Sequence, residues 1–153
     1  MRIEQKVNVD APRHRVWEHV TEPANYPVFM EGLTRWEVAG DLHKGLGARY
    51  RMLLRVGAAD VGGLIEIVEW QPEGDLAWSS VTGIDQRGRW RLRELGDGRT
   101  RVTFRFAYGV AGGGLAAVIA ERVAAPALTR RFRQSLLNLK GALETERNSA
   151  AVG

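Results

Sequence analysis

Two glutamates, Glu66 and Glu69, stand in the otherwise apolar stretch at positions 61–70. The stretch alternates as a β-strand does, and successive side chains of a strand point to opposite faces. Regular alternation therefore turns one of the two carboxylates towards a buried interior. The row that contains Glu66 carries more apolar residues, so we favour Glu66 as the inward one. There it could bind a polar group of a ligand or act as a general base, whereas a bulge or the strand end would place it in water.

Two hydroxyl-bearing side chains fall on rows that we expect to face the same interior. Ser80 follows Trp78 in phase, and Tyr108 lies on the alternating row of the strand predicted over 100–110. A buried polar group costs free energy unless it finds a hydrogen-bond partner. Either hydroxyl could therefore bond a ligand, and the alternative is that each simply lies in the core.

Large apolar side chains dominate these inward rows. In the segment KGLGARYRMLLRVG, residues 44–57, apolar residues alternate with a row that is mostly arginine. Aromatic rings and methionine suit flat or irregular apolar ligands, although such rows are also ordinary core. The residues that we predict to line a ligand cavity are Tyr50, Met52, Leu54, Glu66, Trp78, Ser80, Trp90, Phe104, Phe106 and Tyr108.

Other kinds of site find no support in the sequence. Cysteine is absent, and the three histidines, His14, His19 and His43, do not have metal-ligand spacing, so we expect no metal. No serine lies in a nucleophile motif, and the glycines at 45–47 lead into a strand rather than into the helix that a phosphate loop requires. We therefore predict no cofactor and assign no catalytic residue.

The arginines that alternate with the apolar rows are expected to form the solvent-exposed face of a sheet. The excess of positive charge is modest, with 22 Lys and Arg against 18 Asp and Glu. No nucleic-acid-binding motif accompanies it, and we predict no nucleic-acid partner. Leu53 interrupts the arginine row, and a partner subunit in a homodimer would explain its position.

The length of 153 residues suits one domain, which we predict over 1–146, followed by a flexible tail over 147–153. The N-terminus lacks the apolar core of a signal peptide, and no apolar run approaches the roughly 20 residues that a membrane span needs. We therefore expect a soluble cytoplasmic protein with no integral membrane segment.

The hydrophobic periodicity predicts the elements that position these residues. A strand over 2–9 precedes two short helices, over 12–21 and about 24–31, and six further strands follow as a meander between short turns. A helical pattern over about 115–146 closes the chain, and Pro126 is expected to kink or divide that helix. Because a single sheet must bury its apolar face, we expect the sheet to curl around the last helix, with the short helices at one end.

This order of elements resembles the helix-grip arrangement of the START-like (SRPBCC) superfamily. The resemblance is carried by the segments DAPRHRVWEHVTEPANYPVFMEGL, KGLGARYRM, IVEWQPEGDLAW and GDGRTRVTFRF, and by the terminal helix with TRRFRQSLLNLKGAL. Together they look like the polyketide cyclase/dehydrase and coenzyme Q-binding branch, over about 1–146. The resemblance implies an α+β fold in which a curled antiparallel sheet of about seven strands surrounds a long C-terminal helix.

Members of that superfamily range from carriers of hydrophobic ligands to aromatase/cyclases, so the resemblance leaves three hypotheses open. The first, which we favour, is a binding protein that encloses a small hydrophobic molecule such as a lipid, a quinone or a polyketide-like aromatic. The second is an aromatase/cyclase or dehydrase, with Glu66 or Glu69 and Tyr108 as its acid–base groups. The third is a non-enzymatic interaction protein with a filled core and a basic surface.

Overall fold

The computed structural model describes the backbone over residues 2–109 and 115–152, and the side-chain surroundings over 2–109 and 125–146. The elements follow one another in the predicted order, and the predicted α+β fold is confirmed. They are β1 (Arg2–Val9), α1 (Arg13–Thr21), a 3-10 turn (Pro23–Asn25), α2 (Tyr26–Phe29), β2 (Leu33–Ala39), β3 (Arg49–Val56), β4 (Ala59–Gln71), β5 (Asp75–Ser80), β6 (Gln86–Gly96), β7 (Arg99–Tyr108) and α3 (Leu115–Val152). Residues 110–114, which precede the predicted last helix, lie outside the described residues.

The seven strands form one antiparallel sheet in the order β1-β7-β6-β5-β4-β3-β2. Strands β2 to β7 are a meander, because each pairs with its neighbour in sequence, and β1 pairs with β7 at the far edge. The tight turn between β6 and β7 brings these two strands together as an antiparallel pair. Gly96, Asp97 and Gly98 all have positive φ there, a conformation that favours glycine and aspartate in a tight hairpin turn.

The two faces of the sheet differ in what covers them. The inner face packs against the helices, and its side chains form one buried cluster with residues of α1, α2 and α3. The outer face carries the arginine rows, so the predicted separation of apolar and charged rows is confirmed at Tyr50, Met52 and Leu54, which are 2–4% exposed. This separation follows from the period of two along each strand.

The long helix α3 lies against the inner face with a stripe of apolar residues at three- and four-residue steps. The buried members of the stripe are Leu128, Phe132, Leu136, Leu139 and Leu143. The ring centroid of Phe132 lies 5.1 Å from that of Phe104. Pro126 lies within a single continuous helix, so the predicted division did not occur. The helix also runs through residues 147–152, where we expected a tail, and the flexibility of 147–153 stays a prediction.

The short helices close one end, because hydrogen bonds join α2 and its neighbours to α3. The backbone N–H of Glu31 donates to Ser135 Oγ at 2.8 Å, and Asn138 Nδ2 donates to the carbonyl oxygen of Phe29 at 3.1 Å. Since Ser135 is buried, this bond gives its hydroxyl the partner that burial demands.

A β-bulge in β4 overturns the expectation that one of the two glutamates, Glu66 or Glu69, must face the interior. Ile67 pairs with Trp78 and Glu69 pairs with Ala77, so Val68 is an extra residue between two regular pairs. The extra residue shifts Glu69 from the row of Ile67 to the outer face. There the guanidinium of Arg89 pairs with the Glu69 carboxylate.

Candidate functional site

The inner face of the sheet carries a continuous group of aromatic rings. Tyr26 of α2 stacks on Trp36 of β2 with ring centroids 4.3 Å apart, and Trp36 meets Trp78 of β5 edge to face at 5.3 Å. The group continues from Trp78 to Phe104 at 5.9 Å. Such offset and edge-to-face pairs are the favoured geometries of aromatic side chains.

The structure brings most of the predicted cavity-lining residues together on this face. Those that are buried there, each at most 4% exposed, are Tyr50, Met52, Leu54, Trp78, Trp90, Phe104 and Phe106. Tyr108 and Ser80 are partly buried near the ends of their strands, and the Tyr108 ring lies 5.9 Å from that of Phe106. That these residues contact a ligand stays a prediction.

Glu66 is the exception, and its predicted inward orientation is wrong. Glu66 lies opposite Arg49 and Ser79 on the outer face, where Arg49 Nε donates to Glu66 Oε1 at 2.8 Å. Glu66 lies between Ile65 and Ile67, which are buried, so its side chain points to the opposite face of β4. With Glu69 moved outwards by the bulge, neither glutamate reaches the interior.

Two polar residues of the interior were missed by the sequence analysis. Gln86, the first residue of β6, is 1% exposed, and its Nε2 donates to Met52 Sδ at 2.9 Å. Trp36 is 7% exposed and pairs in register with Met52. The signal that could have found Gln86 is its phase with Trp90 and Leu92 on the same strand.

Four polar atoms of the buried inner-face residues have no hydrogen-bond partner in the described part of the chain. They are Trp36 Nε1, Trp78 Nε1, Trp90 Nε1 and Gln86 Oε1. Most buried polar atoms of folded proteins are hydrogen-bonded, and an unsatisfied one costs about 1–3 kcal/mol. We call Trp36, Met52, Trp78 and Gln86 the interior polar cluster.

The two tyrosines that stack on Trp36 are, by contrast, satisfied by backbone carbonyls. Tyr50 donates to the carbonyl oxygen of His43 at 2.7 Å, and Tyr26 donates to that of Val20 at 2.5 Å. Burial raises the pKa of Tyr50 to about 12, and it raises the pKa of Tyr26 further. Both phenols are therefore neutral donors at physiological pH.

The described residues enclose little empty space beneath α1. A cavity lined by Tyr26, Trp36, Tyr50, Trp70 and other apolar residues has a volume of about 10 Å³, about the minimum that holds one water molecule. A depression of about 300 Å³ lies at the sheet end beside Asp85, Tyr108 and Gly109. Its lining includes Arg87 and Ala107, which pair with each other on the outer face, so it is separate from the interior polar cluster.

The outer face has an open groove of about 500 Å³ over small residues such as Ala77, Ser79 and Ala107. Beside this groove, Asp75 is buried and accepts hydrogen bonds from Arg89 at 3.1 Å and Arg93 at 2.8 Å. Burial alone would raise the pKa of the Asp75 carboxyl. The hydrogen bond from Arg93, with the charges of Arg93, Arg91 and Arg89, outweighs burial and holds that pKa below its ordinary value.

Leu53 lies half-buried on the outer face, opposite Arg35 and Gly62. The homodimer that this residue suggested stays a prediction. No three His, Asp or Glu side chains within 2–109 and 125–146 come together as metal ligands. Among the described helices, none combines the length and the apolar character that crossing a bilayer requires.

A curled antiparallel sheet around a long terminal helix, with aromatic rings on its inner face, defines a helix-grip protein with an aromatic interior. The chain belongs to the family described as polyketide cyclase / dehydrase and lipid transport, whose model matches residues 1–144. The family predicted from the sequence is thereby confirmed. No curated protein matches the chain.

Solved structures show the same fold at low sequence identity. Protein TTHA0849 from Thermus thermophilus is 17% identical, with a TM-score of 0.81 over 95% of this chain and 99% of its own. The Zhui aromatase/cyclase from Streptomyces sp. R1128 is 22% identical, with a TM-score of 0.76 over 94% and 93%. The di-domain ARO/CYC BexL of the BE-7585A biosynthetic pathway is 18% identical, with a TM-score of 0.68 over 94% and 46%.

Proposed function

We propose that the chain binds a small hydrophobic molecule between the inner face of its sheet and α3. The observation that carries the proposal is the aromatic inner face, in which Trp36, Tyr50, Trp78, Phe104 and Phe106 form one connected group. Ligand sites are commonly lined by aromatic and apolar side chains with a few polar groups among them. The family description, which includes lipid transport, supports the same interpretation.

The distribution of carboxylates favours binding over catalysis. Asp75 is the only buried Asp or Glu within the described residues, and it lies on the outer face. The acid–base pair of the cyclase hypothesis used Glu66 or Glu69 with Tyr108, and the two glutamates face away from the interior. General base catalysis needs a base within hydrogen-bond reach of its proton, directly or through one water.

Cyclase activity on a polyketide-like intermediate remains the second candidate, because the Zhui and BexL structures share the fold. Its acid–base groups would come from the sheet end, where Ser80 Oγ donates to Asp85 Oδ1 at 3.5 Å beside Tyr108. Incubation with a linear polyketide mimic, followed by mass spectrometry, tests it. Loss of water from the mimic that the Asp85→Asn variant abolishes would favour this candidate over a carrier.

The proposed binding is tested by two measurements on the purified protein. Denaturation followed by mass spectrometry should release a co-purified apolar molecule, and N-phenyl-1-naphthylamine should bind saturably with one site per chain. Phe106→Leu on the inner face should weaken probe binding about three- to tenfold, since an aromatic pair is worth about 0.5–1.5 kcal/mol. Val68→Ala on the outer face is the matched control and should leave binding unchanged. Absence of both a released molecule and saturable probe binding would overturn the proposal.

A further inference from the structure

The open groove on the outer face of the sheet has a lining in which every charged residue is an arginine. These arginines are Arg2, Arg87, Arg89 and Arg105, and we call the depression the arginine groove. Among the described residues that line it, none is Asp or Glu. Its volume of about 500 Å³ lies within the range of pockets that hold small organic molecules. The arginine groove therefore has the charge and the size to receive a small organic anion.

The register of the strands explains why the groove exists. Ala107 of β7 pairs with Arg2 of β1 on one side and with Arg87 of β6 on the other. Ser79 of β5 pairs with Arg87 in the same row. Side chains that face each other across neighbouring strands stand on the same face of the sheet. Two long arginine side chains therefore flank a residue that has only a methyl group, and the space over this methyl group stays open.

The next row of the groove repeats this alternation of long and short side chains. Arg105 of β7 pairs with Arg89 of β6, and Arg89 pairs with Ala77 of β5. At the β4 end, the bulged residue Val68 also lines the groove and is 50% exposed. The floor is thus made of small side chains, and one exposed apolar side chain borders it.

The two arginines of this second row already have carboxylate partners. Arg89 pairs with Glu69, and Arg105 contacts Glu4 at 3.6 Å. The Nε atom of Arg105 is nevertheless buried and has no hydrogen-bond partner in the part of the chain that the structure describes. The second row therefore carries charges that are balanced within the chain.

The first row, by contrast, carries two positive charges that the chain leaves unbalanced. Arg2 and Arg87 are exposed, and neither forms an ion pair with a residue in 2–109 or 125–146. A phosphate monoester has a charge of about −1.5 to −2 at pH 7, so one such group balances both guanidiniums. Guanidiniums also bind phosphate oxygens through paired, charge-assisted hydrogen bonds. A carboxylate or a sulfate ester, with one negative charge, would balance only one of them.

We propose that the arginine groove binds a small organic phosphate monoester. Its phosphate lies between Arg2 and Arg87, over Ala107, and its apolar part extends along the floor towards Ala77 and Val68. The site is on the opposite face of the sheet from the proposed hydrophobic ligand. The two proposals are therefore independent of each other.

The charges around the groove favour a small molecule over an anionic membrane surface. Beside the groove, Arg93 contacts the carboxylate of Asp75 at 2.8 Å, and Arg49 contacts that of Glu66 at 2.8 Å. A flat anionic surface laid on this face would meet these carboxylates as well as the arginines. A molecule inside the groove would meet arginines alone, and we therefore assign the site to a soluble phosphate.

Isothermal titration calorimetry of the full chain tests the proposal with 2-naphthyl phosphate, 2-naphthyl sulfate and inorganic phosphate at low ionic strength. The unaltered protein should bind 2-naphthyl phosphate at one site. It should bind the phosphate ester about threefold more tightly than the sulfate ester, which has the same ring and less negative charge. It should bind inorganic phosphate about tenfold more weakly than the phosphate ester, because inorganic phosphate has no apolar part to cover the floor.

The matched variants are Arg87→Gln and Arg51→Gln, which remove the same charge from the outer face. Arg51 is exposed on β3 and lies outside the groove. Arg87→Gln should weaken binding of 2-naphthyl phosphate about tenfold or more, since it removes hydrogen bonds between charged groups. Arg51→Gln should leave the affinity within about twofold. Ala107→Leu keeps every charge but fills the floor, and it should weaken binding about tenfold.

Three results would each overturn the proposal. Equal affinities of Arg87→Gln and Arg51→Gln would mean that the ester responds to net charge or binds elsewhere in the protein. Equal affinities for inorganic phosphate and 2-naphthyl phosphate would mean that the groove holds an adventitious ion only. Binding to phosphatidylglycerol vesicles that Arg87→Gln abolishes, without measurable affinity for 2-naphthyl phosphate, would assign the arginines to a membrane. None of these results bears on the interior, whose probe, N-phenyl-1-naphthylamine, carries no phosphate.

Discussion

The inner and outer faces of this sheet are built from alternate residues of the same strands, yet they differ in which polar groups they carry and in how those groups are paired. On the outer face many charged side chains pair with one another, as in the contact of Arg93 with the buried Asp75 at 2.8 Å and that of the exposed Arg55 with Asp60 at 2.9 Å. On the inner face Gln86 Oε1 and Trp78 Nε1 are buried, and no described residue bonds them. The outer face thus pairs many of its charged groups within the chain, although Arg91 Nε and Arg105 Nε have no described hydrogen-bond partner, and the inner face carries hydrogen-bonding capacity that a ligand could use.

The arginine rows show how the outer face pairs its charges. Arg89 and Arg105 lie directly opposite each other on β6 and β7, which would be unfavourable for two like charges alone. Arg89 pairs with Glu69 and Asp75, and Arg105 pairs with Glu4 at 3.6 Å. The bulge in β4 contributes to this network, because it brings Glu69 to the arginine side.

The largest effect is expected in the aromatic group of the inner face. Phe104→Ala should lower the free energy of unfolding by about 4 kcal/mol, because the ring touches Trp78, Trp90 and Phe132 and its loss leaves a cavity. Urea denaturation measures the change. The neighbouring Arg105→Ala, on the outer face, should cost less than about 1 kcal/mol. Equal losses at the two positions would contradict the assignment of the core to one face.

Asp75 should contribute more to stability than the exposed charges of the outer face, because its carboxylate is buried. Asp75→Asn should lower the free energy of unfolding by about 2 kcal/mol, since the carboxylate is 11% exposed and three arginines converge on it. The control is Glu66→Gln, which breaks a more exposed pair with Arg49 and should cost less than about 1 kcal/mol. Equal unfolding midpoints in urea for the two variants would show that burial does not distinguish the pairs.

The same carboxylate should give the protein an acid-sensitive component of stability. Because the pKa of Asp75 is lower in the folded than in the unfolded chain, its contribution is present above the unfolded value of about 4 and is lost as the pH falls through the folded value. Stability of the unaltered protein should therefore fall more steeply below about pH 4 than that of Asp75→Asn. Denaturation curves from about pH 5 down to about pH 2.5 test this, and parallel curves would refute it.

The smallest effect is expected at Gln86 in the ligand-free protein. Gln86→Leu removes an amide whose carbonyl oxygen has no described partner, so the free energy of unfolding should stay within about 1 kcal/mol of its original value. Thermal or urea denaturation after removal of bound molecules measures this. A loss above about 2 kcal/mol would mean that the amide is already satisfied, and the contrast between the two faces would weaken.

The elements and their faces were largely predictable from local patterns. The period of two along β3, β6 and β7 placed Met52, Trp90 and Phe104 inside before any contact was known, because alternation is a property of the extended backbone itself. The prediction for Glu66 and Glu69 failed because it assumed an unbroken alternation. A bulge depends on what the neighbouring strand pairs with, and the sequence of β4 alone does not reveal it.

What the sequence by itself determined is the set of faces: which side of each strand is apolar, and that one long helix must cover the result. What only the tertiary structure decided is which polar groups meet across strands. The amide of Gln86 on β6 reaches Met52 on β3, although 34 residues and two intervening strands separate them. Such a contact depends on how the strands of the whole sheet are arranged, and no local pattern encodes it.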